Sequence, residues 1–342
     1  MMRRPIRAAF AAAALIILFL MVLVVFTSGI PSIQAQNREP EHLLFASDCR
    51  PALMYAPTSE CPFYYFYFDH DLNTPVAVAS GNHLSPSFSP DGSQIVFTFA
   101  ASPLPISGQP AQFYIEVMDA DGTNRRRLTN SGTDRNPAWS PNGETIAFIS
   151  DRGSEKQIHL MDADGSNVRA LGISGVIEVS WSPDSKRLLY TTEVTEASGR
   201  RVNLVNADGT NQRLLIAEEV GTWSGAWSPD GRTIAYVKQL RDGRSSIFLT
   251  SDEGITSREL NVTEKLPFAY GDSTNVWYGG LAWSADGAWL AFEVDSWAMR
   301  IAVSTPVPKE RIGQQIGVVE ISSGRSYLVT YGFNNCCPAW RP

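Results

Sequence analysis

Short apolar runs ended by Pro, Asp, Asn and Gly recur along most of this chain, at the spacing of strands rather than helices. The unit is clearest in PAWSPNGETIAFISDRGSEKQIHLMDADGSNVRAL, Pro137 to Leu171. Its first half returns as SFSPDGSQIVF from Ser87, SWSPDSKRLLY from Ser180, AWSPDGRTIAY from Ala226 and AWSADGAWLAF from Ala282. Its second half returns as IEVMDADGTNRRRLT from Ile115 and VNLVNADGTNQRLL from Val202, then more weakly as IFLTSDEGITSREL from Ile247 and GVVEISSGRSYLVT from Gly317, making five complete copies. Each copy predicts four short strands. An SPDG-type turn joins the first to the second, because Pro presets φ, Asp bonds the local backbone and Gly accepts positive φ; a DADG-type turn joins the third to the fourth.

A four-stranded sheet that is apolar on both faces cannot bury itself, but such sheets bury one another when stacked radially about an axis. The pattern therefore predicts an all-β fold, a β-propeller of four-stranded antiparallel blades. One further copy is split. CCPAWRP at the end of the chain supplies only an innermost strand, whereas HLLFASD from His42 matches IAFISD, and FYYFYFDHDLNTPVAVA, Phe63 to Ala79, matches QIHLMDADGSNVRAL. The expectation is a six-bladed propeller over residues 42–342, closed by N-terminal strands pairing with the C-terminal strand, which also protects an open sheet edge. Phe88, Trp139, Trp181, Trp227, Trp283 and Trp340 fall at equivalent positions and are expected to be wedges between blades. The DADG turns lack the later carboxylates and terminal Glu of a calcium loop, so they are expected to be turns only.

The pattern P-x-W-S-P-D-G-x-x-I-A-F-x-S-x-R, followed by I-x-x-M-D-A-D-G-S-N-x-R-x-L-T, resembles the WD-repeat-like β-propeller repeat of the TolB type. The resemblance covers about residues 42 to 342 and implies a scaffold that binds proteins or small ligands, without naming a task. The family's namesake has an α/β domain ahead of its propeller, which is not expected here because only residues 36–41 would separate a cleavage at Ala35 from the first strand. Related propellers accompany the α/β-hydrolase domain of prolyl-oligopeptidase relatives, which needs a nucleophile elbow and is not expected here. Others resemble metal-dependent oligogalacturonate lyases, whose channel wants several converging histidines. His42, His70, His83 and His159 map to separate strands and loops, so neither a metal nor a cofactor is expected.

Composition adds the compartment. The chain of 342 residues is 44% apolar and 18% charged, which is globular. Residues 1–35 hold Arg3, Arg4 and Arg7, no acid, and an apolar run from Ala8 to Phe26, the pattern of an export signal. That run is also long enough to span a bilayer, while Ile33-Gln34-Ala35 offers a cleavage site, so cleaved signal and retained anchor both stay open. Residues 36–41 form a short linker. Without those three arginines, 25 of the 28 basic residues face 35 acidic ones, a balance of −10 that makes nucleic acid an unsuitable partner. Cys49, Cys61, Cys336 and Cys337 suit an oxidising compartment and a structural role, with three pairings open: a bridge from 336 or 337 to 49 or 61 would fasten the two ends together, one between 49 and 61 would close a short loop, and one between the vicinal pair would be strained.

Departures from the repeat collect on the face opposite the SPDG and DADG turns, as insertions at 101–112, 193–201, 261–280 and 295–315. The last two carry Phe268, Tyr270, Trp277, Tyr278, Trp297 and Arg300, a hot-spot composition for binding, or else side chains that pack the loops down. Aligning the copies on Asn136 puts Ser85, Glu178, Ser224, Gly280 and Cys337 at the channel mouth, with Arg135 and Trp223 one residue earlier. This set suits water, a sugar or a cation and contains no catalytic pair. The sequence therefore describes a monomeric, exported, non-catalytic binding propeller that meets a protein partner or small ligand in the cell envelope through its loop-rich face. Its membrane contact is confined to the N-terminal segment. The alternatives are an enzyme processing a carbohydrate or peptide in the channel, and a sensor domain anchored at the membrane.

Overall fold

The computed structural model describes residues 42–46, 63–67, 76–79, 83–101, 110–153, 155–194, 199–216, 221–260, 262, 277–295, 315–330 and 336–342. All lie within one compact unit, Pro40–Pro342. Among them no helix is long and apolar enough to cross a membrane; the expected export segment, 1–35, and linker, 36–41, lie outside the described residues.

The SPDG-type turns form as their chemistry requires. In the first, the Gly92 amide donates to the Ser89 carbonyl at 2.8 Å, the Ser89 hydroxyl donates to Asp91 at 2.6 Å, and the Gln94 amide returns to the Ser89 hydroxyl at 2.9 Å. The Ser–Asp bond recurs at Ser182–Asp184, Ser228–Asp230 and Ser284–Asp286, and Asn142 takes the acceptor role beside Ser140. The Ser89 hydroxyl, helped by Ser93, holds the Asp91 carboxyl down to about 2.

These turns fold five runs of chain into four-stranded antiparallel blades. Blade 1 is His83–Phe88, Gln94–Ala100, Phe113–Asp119 and Arg126–Arg127; blade 2 is Asp134–Trp139, Thr145–Ser150, Gln157–Asp162 and Arg169–Ser174. Blade 3 is Val176–Trp181, Arg187–Val194, Gly199–Asn206 and Arg213–Leu214; blade 4 is Thr222–Trp227, Ile234–Gln239, Ser245–Thr250 and Ser257–Glu259. Blade 5 is Trp277–Trp283, Trp289–Asp295, Gln315–Glu320 and Ser326–Leu328. The remaining four-stranded sheet is composite: Cys336–Trp340, then His42–Ala46, Phe63–Tyr67 and Val76–Ala79. In it Leu43 faces Trp340 and Leu44 faces Ala339, and Cys336–Trp340 packs between the innermost strands of blades 5 and 1.

The core is a set of seams. One apolar cluster fills each interface, and each holds one of the equivalent aromatics: Phe88 with Leu44, Trp139 with Val117, Trp181 with Ile149, Trp227 with Leu204, Trp283 with Leu249, and Trp340 with Ile316. These rings are wedges, as the repeat predicts. At the outer rim the third-to-fourth turn of one blade rests on the last strand of the blade before it. A Cβ on Gly254 would stand 2.0 Å from the Leu215 carbonyl oxygen, and one on Gly122 would stand 2.3 Å from that of Val78. Both residues also hold positive φ, so glycine is required twice over.

Candidate functional site

In each innermost strand the ladder slips between its first and last pairs: at Leu84/Ser87, Arg135/Ala138, Val176/Glu178, Trp223/Ala226 and Gly279/Ala282 in the blades, and opposite Leu44/Ala46 in the composite sheet. A bulge turns a residue out of the ladder and strands its amide. Ser85, Asn136, Ser224, Gly280 and Cys337 take positive φ, between 50° and 63°, at these points. Pro86, Pro137 and Pro338 follow three of them, where a residue without an N–H leaves no donor stranded.

These five positions and Glu178 are the ones expected at the channel mouth, and the structure brings them together. They line a cavity of about 340 Å³ walled by all the innermost strands, with Glu293 added from the second strand of blade 5.

The stranded amides are capped across the seams. Asn136 N–H donates to Thr98 Oγ1 of blade 1 at 2.9 Å, Ser224 N–H to Glu178 Oε2 of blade 3 at 2.8 Å, Gly280 N–H to Ser224 Oγ of blade 4 at 3.2 Å, and Cys337 N–H to Glu293 Oε1 of blade 5 at 2.6 Å. Side chains add further links. Ser85 Oγ donates to Asn136 Oδ1 at 3.0 Å, Asn136 Nδ2 to the Ile177 carbonyl at 2.9 Å, and Ser224 Oγ to Glu178 Oε1 at 3.0 Å. Thr191 Oγ1 adds a third bond to Glu178 at 3.1 Å, so both of its carboxylate oxygens are held. Every step crosses from one blade to the next or stays within the wall, as buried backbone donors demand.

Arg135 and Trp223 do not join this lining. Successive residues of a strand point to opposite faces. Arg135 lies over the Phe113 ring at 5.0 Å and bonds Asp151 at 3.0 Å, while Trp223 is buried with its indole donating to the Tyr278 carbonyl at 2.8 Å. Tyr278, expected among the loop-face contacts, is half-buried with its ring edge-on to Phe292 at 5.5 Å, and burial pushes its phenol above the usual value. Trp277 opens the strand Trp277–Trp283, while Phe268, Tyr270, Trp297 and Arg300 lie outside the described residues.

Cys336 is buried and Cys337 half-buried, and the two are not bridged to each other; Cys49 and Cys61, and with them any bridge to the N-terminal strands, lie outside the described residues. The bulge explains where they sit, since it turns Cys337 into the wall, against Ser85 and Glu293. His159 is buried against Phe148, with its ring nitrogen 3.3 Å from the Gln157 carbonyl. His70 lies outside the described residues.

Glu293 was not singled out in the sequence because it belongs to a second strand. Its equivalents, Thr98 in blade 1 and Thr191 in blade 3, face the same wall, and it is the acid in that column.

Residues 64–200 match a family model described as the TolB beta propeller domain. Dipeptidyl-peptidase 5 of Porphyromonas gingivalis is 27% identical over 334 residues, covering 77% of this chain and 45% of that protein. The Tol-Pal system protein TolB of Francisella tularensis subsp. holarctica is 29% identical over 181 residues, covering 51% of this chain and 39% of that protein. This chain thus spans less than half the length of these curated relatives. Among solved structures, TolB from Acinetobacter baumannii superposes with a TM-score of 0.65 at 18% identity, over 88% of this chain and 67% of that one. That likeness speaks for the fold.

Proposed function

We propose that this chain, a TolB-type β-propeller, is a non-catalytic binding module that works outside the cytoplasm, with the composite sheet as its sixth blade. It engages a protein partner or small ligand over the channel mouth and the adjoining loops, including the insertions that carry Trp277, Trp297 and Arg300. The export-signal pattern of residues 1–35 supports the location, whether that segment is cleaved or kept as an anchor. The observation that carries the reading is the run of hydrogen bonds that ties neighbouring blades together around the cavity. Its hydroxyls donate to an amide oxygen at Asn136 and to a carboxylate already held at Glu178, an arrangement that fixes a shape and leaves no base poised to move a proton. A rigid polar concavity needs little ordering to bind, which is how preorganised surfaces gain affinity. The match to Tol-Pal system proteins supports a protein partner in the cell envelope.

The match to a dipeptidyl-peptidase keeps a second reading, peptide processing in the channel, where the Glu178 and Glu293 carboxylates could receive a peptide ammonium group. One experiment addresses both. The exported part is used to capture partners from envelope extract and is incubated with peptide and glycan mixtures, beside a Trp277→Ala/Trp297→Ala/Arg300→Ala variant and a Ser180→Trp variant that narrows the cavity. The expected result is a partner held by the unmodified protein and weakened in at least one variant, with no turnover of either mixture. Equal recovery by all three removes the binding proposal, and variant-sensitive turnover replaces it with the enzymatic one.

A further inference from the structure

We propose that Glu293, Cys336 and Cys337 form a site for a thiophilic divalent cation of the zinc class in the wall of the central channel. Adjacent residues of a regular strand point to opposite faces, so neighbouring cysteines do not ordinarily share a ligand. The bulge removes that obstacle. Between the Leu44–Ala339 and Ala46–Cys336 pairs, Cys337 and Pro338 oppose Phe45 alone, and Cys337 holds φ at 63°. A sulfur from each cysteine and an oxygen of Glu293 then lie within 4.8 Å of one another.

The third donor is held in place from two sides. Cys337 N–H donates to Glu293 Oε1 at 2.6 Å. Gly280 leaves room for the carboxylate, since a Cβ there would stand 2.6 Å from the Glu293 carboxyl carbon. Two sulfurs and a carboxylate oxygen form a set that soft or borderline cations prefer, and one that calcium or magnesium does not. Cys337 and Glu293 both line the cavity, so a fourth coordination position opens onto it. The site resembles the three-ligand arrangement that leaves a metal accessible.

A thiol gives up its proton when it binds a metal. The hydrogen bond with Cys336, burial, and the charges of Cys336 and Glu293 push the Cys337 thiol well above its ordinary value. Binding therefore replaces two S–H bonds by two sulfur–metal bonds and releases two protons, with nothing oxidised or reduced. The histidines take no part, and the site stands independently of the partner-binding proposal.

The test uses the reduced full chain, titrated with zinc and with cadmium. Cadmium–thiolate charge-transfer absorbance reports binding, and peptide mapping after alkylation reports which cysteines zinc shields. A single cation per chain with Cys336 and Cys337 shielded is expected. Cys337→Ser should abolish binding, Glu293→Gln should weaken it about tenfold or more, and Cys49→Ser/Cys61→Ser should leave it intact. Unchanged alkylation of Cys336 and Cys337 in zinc overturns the site, as does binding that survives Cys337→Ser or disappears in Cys49→Ser/Cys61→Ser. Shielding is read on the unmodified protein, so a variant that fails to fold does not blur the answer.

Discussion

Arg152 and Arg135 each hold an aspartate of blade 2, and burial makes the two pairs unequal. Arg152 Nη2 reaches both oxygens of Asp134 at 2.9 Å, and that carboxylate is fully buried. Arg135 meets Asp151 at 3.0 Å with both side chains about a third exposed, at 29% and 33%. Removing Arg152 strands a buried charge, whereas water takes over from Arg135. Arg152→Ala is therefore expected to cost about 3–5 kcal/mol and Arg135→Ala at most about 1 kcal/mol; urea denaturation giving equal losses would contradict the assignment. Burial opposes ionisation of Asp134, yet bonds from Ser131, Ser150, Arg152 and Thr129 outweigh it and hold the carboxyl below 3.8. Its contribution is then fully present above pH 3.8 and lost as pH falls through the folded-state value. His159 acts in the same direction nearer neutrality, because burial draws its imidazole below 6.5 and protonation favours the unfolded chain. Stability should decline as pH drops below 6.5, and His159→Gln should flatten that part of the profile.

Between blades the outer turns offer a sharper contrast. Gly254 and Gly243 both hold positive φ, at 69° and 86°, but a Cβ on Gly243 meets nothing within 4 Å whereas one on Gly254 meets backbone at 2.0 Å. Gly243→Ala should cost only the conformational strain, about 1–2 kcal/mol. Gly254→Ala adds displacement of the Leu215 backbone and should cost clearly more by thermal or urea unfolding. Such turns were legible beforehand because Pro, Asp and Gly impose their geometry locally, and the wedges were legible because one aromatic column repeats. The Asn136 column likewise located the channel lining. Glu293 was less visible, since only the packing of one blade on the next reveals which second-strand position reaches the wall. The bulge had the same effect on the cysteines: a two-residue alternation cannot show that Cys336 and Cys337 converge. Tyr278 looked like a surface aromatic from its place beside a long loop, but the strand that begins at Trp277 carries it into the blade.

For the molecule as a whole, stability depends on whether the array has a free end. Trp181, Trp283 and Trp340 each donate the indole N–H to a carbonyl of the preceding blade, at Ala138, Ala226 and Ala282, over 3.0 to 3.2 Å. Trp227 departs from this rule: its indole nitrogen is buried with no hydrogen-bond partner among the described residues, and Arg187 covers the ring at 4.7 Å instead. Trp340 lies on the last strand of the chain, and the next residue reaches the other way, with Arg341 Nε donating to the Gly92 carbonyl of blade 1 at 3.1 Å. The C-terminal strand thus touches both neighbours, and the strand His42–Ala46 pairs along its outer edge. In an open stack of repeats a terminal unit frays independently, while a closed one must break a seam before any blade can leave. Trp340→Ala should therefore cost as much as Trp181→Ala in the interior, about 3–5 kcal/mol, and both should unfold in a single transition. An early transition confined to the composite sheet, or a Trp340→Ala variant as stable as the parent in urea, would show that this sheet is an appendage and that the channel it helps to wall is open on that side.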